Sequence, residues 1–129
     1  MNFRREQKKY KKDLLMILTT NWCAKRFMEE NYKELLATNT DELRNELSNL
    51  RNWAVQFETK NPDKTKWKEK EKEESQKIRD DMQKANGKIE QIERITGQIR
   101  KFTDAYNEAV FIYKNADLFF GEVEEKLNE

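Results

Sequence analysis

Histidine is missing from this 129-residue chain. Its absence removes Ser-His-Asp and Cys-His machinery, every His-containing zinc site, the Glu-x-x-His motifs of di-iron bundles and the commonest general base near neutral pH. Cysteine is reduced to Cys23, which excludes an intrachain disulfide and a Cys-rich metal site. Set between Trp22 and Ala24, it is expected to be a small, partly buried packing residue. Three glycines and one proline are too few to turn a many-stranded sheet. Gly87, Gly97 and Gly121 stand singly, so no Gly-rich loop can cradle a phosphate. Long hydrophobic runs are missing too. Leu14-Leu15-Met16-Ile17-Leu18 follows a basic start but is too short for a secretory leader, which needs about 7 to 15 apolar residues, or for a membrane span of about 20. Carboxylates are plentiful, but neighbours such as Glu73-Glu74, Asp80-Asp81 and Glu124-Glu125 point about 100° apart on a helix and do not share a site. We therefore expect no catalytic, cofactor-binding or metal-binding residues, no small-molecule substrate and no enzymatic activity.

What remains is charge and helix. Lys and Arg number 26 against 25 Asp and Glu, so the chain is 40% charged at a formal net charge of only +1 and lacks the one-sided repulsion that accompanies disorder. Hydrophobic residues make up 36%, which leaves little for a thick core. The abundance of Lys, Glu, Leu and Gln favours helix, and the length suits a single domain. The expected fold is all-α, an elongated antiparallel bundle or coiled coil of three or four helices, over residues 3–37, 40–60, 63–86 and 88–127.

The periodicity behind those bounds is direct. From Phe3 to Leu36 the apolar residues recur mostly in steps of three or four, with Thr19-Thr20-Asn21 as a candidate bend. Asn39 is placed to cap a second helix, with Glu42 three residues on to complete a capping box. Leu43, Leu47, Leu50, Ala54 and Phe57 then form a seam of coiled-coil type, with Trp53 beside it. That helix should end before Asn61-Pro62, with Asn61 capping and Pro62 opening the next. Residues 59–77 hold one large apolar side chain, Trp67, and form either a solvated helical arm or a linker. From Ile78 to Leu127 the seam returns, its register shifted at Ile89, Ile92 and Ile95 as by a stammer. A helix break is expected at Asn86-Gly87 or at Gly97.

Sustained seams without a catalytic constellation point to a protein-protein interaction module that binds a partner protein or a second copy of itself. The expected contact residues are Trp53 and Phe57 on the second helix and Phe102, Tyr106, Phe111, Tyr113 and Phe120 on the last, where the apolar surface is wider than one stripe. Phage and plasmid accessory proteins that inhibit a host enzyme by covering its surface belong to this class. The basic arm of Arg4, Arg5, Lys8, Lys9, Lys11 and Lys12 could lie on nucleic acid or an anionic membrane face. The plainer account is electrostatic, because residues 101–129 carry an excess of acid and suit a first helix lying beside the last, or beside the last helix of a second copy. A near-neutral chain also lacks the strongly basic footprint of a nucleic-acid binder. A cytoplasmic location is expected.

Tyr113-Lys114-Asn115-Ala116-Asp117 resembles the Tyr-x-x-x-Asp export signal of type VII secretion substrates of the WXG100 and related kinds. The resemblance implies an antiparallel helical hairpin, dimerisation, secretion without a cleaved signal peptide, and recognition of Tyr113 and Asp117 by the export machinery. It covers five residues, and the family's central Trp-x-Gly turn is absent: Trp53-Ala54-Val55 and Trp67-Lys68-Glu69 both lack the glycine.

Overall fold

The computed structural model describes residues 3–128. Glu129, the last acid of the C-terminal stretch, lies outside the described residues. The chain is all-α: α1 (Phe3–Asn31), a single turn α2 (Lys33–Leu36), α3 (Thr40–Lys60), a short 3-10 turn (Lys64–Lys66) and α4 (Glu69–Leu127). Its contacts group into two compact units, one made of Met1–Lys33 and Ile95–Glu129, the other of Glu34–Arg94. α4 contributes to both, and the boundary at Arg94 and Ile95 falls where the heptad register shifts.

In the Glu34–Arg94 unit, α3 runs antiparallel to the first part of α4. Leu47, Ala85 and Ile89 form a buried cluster, with Leu43 and Met82 packed against it. Arg44 reaches Glu93 at 2.8 Å and Arg79 reaches Glu58 at 3.6 Å, pairings that fix the antiparallel sense. Asn39 caps α3 as its position suggests, its side-chain oxygen accepting from the backbone N–H of Asp41 and of Glu42. Ser75, buried at 8% exposure, continues the α4 seam one step before Ile78, so the polar stretch contributes to the packed face from its first turns of helix.

In the other unit, α1 runs antiparallel to the last part of α4. Leu14 is buried, as are Ala109 and Ala116 on α4, whose small side chains let helices approach closely. Phe3 and Tyr10 meet the ring of Phe120 edge-on at 5.9 and 5.4 Å, Lys11 donates to Asp117, and Trp22 lies 5.4 Å from Tyr106. The basic first helix therefore does lie beside the acidic last one.

Four expectations are corrected. α4 is unbroken through Asn86-Gly87 and Gly97: no glycine has positive φ, and the buried Ala85, Ile89, Ile92 and Ile95 hold the helix where isolated glycines would weaken it by only about 1 kcal/mol each. Asn61 and Pro62 do not open a helix. Asn61 ends α3 by donating its backbone N–H to Phe57, and α4 starts only at Glu69, after a connection folded around Trp67. The first helix stops at Asn31 and resumes as a separate turn at Lys33, while Thr19 and Asn21 sit in continuous helix, donating to the carbonyls of Leu15 and Ile17. Cys23 is exposed, because Leu14, Leu18 and Lys25 mark the inward side of α1 and Cys23 stands on the other.

Candidate protein-interaction surface

The aromatic residues proposed as contacts divide sharply once placed. Trp53 stacks on Phe57 with centroids 5.1 Å apart and planes 6° from parallel, and Phe57 meets Trp67 edge-on at 4.9 Å. Trp67 is fixed from its far end as well, since its indole N–H donates to the Asn61 carbonyl at 2.9 Å. A residue that stands alone in a polar stretch thus closes the end of the Glu34–Arg94 unit, which its isolation in sequence concealed. Beside this cluster lies an open hollow lined by Glu46, Asn49, Leu50, Trp53 and Ile78.

On α4, Tyr106 is occupied by Trp22, Phe120 by Phe3 and Tyr10, and Tyr113 by the ammonium group of Lys11 at 6.0 Å from the ring centroid. Phe102 is half-buried. Of the seven expected contact residues only Phe111 is open, at 68% exposure. The physical reason is that seam positions meet the chain's own helices first; a residue off the seam is the one left over. Leu118, one heptad after Phe111 on the same side of α4, is 67% exposed, and Phe119 adds to the patch at 57%. Leu118 is not among the contact residues expected from the sequence, although its seven-residue spacing from Phe111 marks it.

The same rule finds a second open stripe. Met16 and Phe27 on α1 point away from Leu14 and are 62% and 65% exposed. Among the described residues, eleven large apolar side chains are exposed, and Val55 alone of them belongs to the Glu34–Arg94 unit.

The basic arm is split by the helix. Lys11 turns inward to Asp117 and Tyr113, whereas Arg4, Lys8, Lys9 and Lys12 are exposed and Arg5, also exposed, is engaged within the chain. Tyr113 and Asp117, one helical turn apart, both meet this one lysine. Among the described residues no helix is long and apolar enough to cross a membrane, and no group of three or more Cys, Asp and Glu is arranged to hold a metal ion. Comparison with family profiles, with curated proteins and with solved structures finds no match to this chain.

Proposed function

We propose that the chain is a non-enzymatic protein-binding module whose contact surface is the outward side of the last part of α4, centred on Phe111 and Leu118 and received by a helix of a partner protein or of a second copy. The observation that carries this reading is the uneven exposure of large apolar side chains, concentrated in one of two units of similar build. Monomeric proteins rarely leave such residues in contiguous patches, and heptad spacing is what a docking helix reads.

The measurement is a count of chains per particle by light scattering, together with affinity capture from the native host using the parent chain and the double variant Phe111→Ser/Leu118→Ser. Both positions are exposed, so the variant keeps its helicity by circular dichroism. A dimer, or a captured protein, that disappears in the variant supports the reading. A monomer whose captured proteins are identical in parent and variant overturns it.

A further inference from the structure

The outward side of α1 combines free cations with exposed apolar side chains. At about 100° per residue, Lys9, Lys12, Met16, Cys23 and Phe27 fall within one arc of roughly 60°, opposite the buried Leu14, and Lys8 flanks it. Lys8, Lys9 and Lys12 are exposed and make no ion pair among the described residues. Glu30 is the one acid in that arc, and Arg26 already bridges it at 3.1 Å. Charge comes first along the helix and apolar surface follows, with Met16 and Phe27 three turns of helix apart on the same side.

We propose that this side of α1 docks on an anionic phospholipid surface, with Lys8, Lys9 and Lys12 at the headgroups and Met16 and Phe27 entering the boundary of the acyl chains. The helix would lie in the plane of the interface, the mode open to an amphipathic helix that cannot span. The cations alone would suit any polyanion. The apolar pair decides between them, because Met16 and Phe27 gain from an acyl boundary and gain nothing from a solvated nucleic-acid backbone. The site uses neither Phe111 nor Leu118, so it can fail or succeed apart from the protein-binding surface of α4.

The test uses the full chain with an environment-sensitive dye on Cys23, the sole and exposed thiol, which sits inside the proposed contact. Vesicles of equimolar phosphatidylserine and phosphatidylcholine should retain the protein at least about tenfold better than vesicles of phosphatidylcholine alone, with a blue shift of the dye and weakening as salt is raised. Lys8→Glu/Lys9→Glu/Lys12→Glu should lose about tenfold or more of that binding. Met16→Ser/Phe27→Ser should lose binding and blue shift with the lysines intact. Absence of anionic preference overturns the proposal. So does a dye that stays in water while Met16→Ser/Phe27→Ser binds as well as the parent and duplex DNA competes, the result expected of a simple polyanion site. All five substituted positions are exposed, and circular dichroism verifies that each variant stays helical; should one unfold, the dye response and salt dependence of the parent chain still decide the outcome.

Discussion

Both units pair antiparallel helices through a stripe of small and aliphatic side chains, yet among the described residues the Glu34–Arg94 unit exposes only Val55 of its large apolar residues, whereas the unit of α1 and the last part of α4 exposes ten. The difference lies in where the apolar residues stand on each helix. Those of α3 keep to one seam apart from Val55, and the aromatic group of Trp53, Phe57 and Trp67 closes the end of the stripe. Those of α1 and the last part of α4 occupy the seam and also the opposite side, so one neighbour helix cannot cover them. Two elements with the same seam chemistry thus differ in what they leave uncovered: one buries nearly all of its large apolar side chains and the other keeps a second apolar side in water.

The sharpest way to break this comparison is to remove a core side chain. Leu47→Ala should cost about 2–4 kcal/mol in urea unfolding, because it opens a cavity against Ala85 and Ile89 where little else fills the space. Met16→Ser should change stability by no more than about 0.5 kcal/mol, as expected for an exposed position. Equal losses at both sites would mean that the outward stripe of α1 is covered in the folded chain, and the contrast between the units would collapse.

Trp67→Ala comes next, at about 2 kcal/mol, since it removes both the edge contact to Phe57 and the bond to the Asn61 carbonyl. Trp67→Phe separates the two contributions: it keeps a ring against Phe57 and loses only the hydrogen bond, so about 1 kcal/mol should remain lost. A Trp67→Ala variant as stable as the parent would show that the Glu34–Arg94 unit needs no aromatic closure.

Much of this architecture is legible from spacing. The α3 seam, the Asn39 cap, the end of α3 before Pro62 and the meeting of a basic first helix with an acidic last one follow from periodicity, capping chemistry and charge. The identity of each seam's partner is not legible, because a heptad position states that it will be covered and not by which helix. For that reason Trp53, Phe57, Phe102, Tyr106, Tyr113 and Phe120 read as partner contacts and turn out to be engaged or half-buried within the chain, while Phe111 stays open. The register shift at Ile89, Ile92 and Ile95 marks where α4 exchanges α3 for α1 as its neighbour, and the break expected at Asn86-Gly87 or Gly97 does not occur. Met16, Cys23 and Phe27 share one side of α1, but that stripe becomes visible only after Leu14 has fixed which side faces inward.

Glycine offers a smaller test that spans both units. Gly87 lies in one and Gly97 in the other, neither has positive φ, and a Cβ built on either meets no neighbouring atom. Gly87→Ala and Gly97→Ala should each stabilise by about 0.5–1 kcal/mol in urea unfolding, by restricting the unfolded chain and improving helix propensity. A loss at either site would indicate that the helix bends there in solution, as the sequence suggests.

The smallest expected effects belong to ion pairs that cross between helices, such as Arg44–Glu93 in one unit and Lys11–Asp117 in the other. The Arg44 and Glu93 side chains are 52% and 57% exposed, and Asp117 is 80% exposed, so water competes for every partner and salt screens what remains. Double-mutant cycles to alanine should give couplings of no more than about 0.5 kcal/mol for each pair, shrinking as salt is added. Lys11→Ala alone should cost more than Asp117→Ala, because Lys11 also lies over the Tyr113 ring and its side chain is 31% exposed, whereas Asp117 contributes a solvated carboxylate. This asymmetry makes Asp117→Ala a clean probe of the type VII export reading: the variant should remain folded and helical, so an accompanying loss of secretion would report recognition of the Tyr113 and Asp117 signal, and unchanged secretion would leave the aspartate with no role beyond its contact with Lys11.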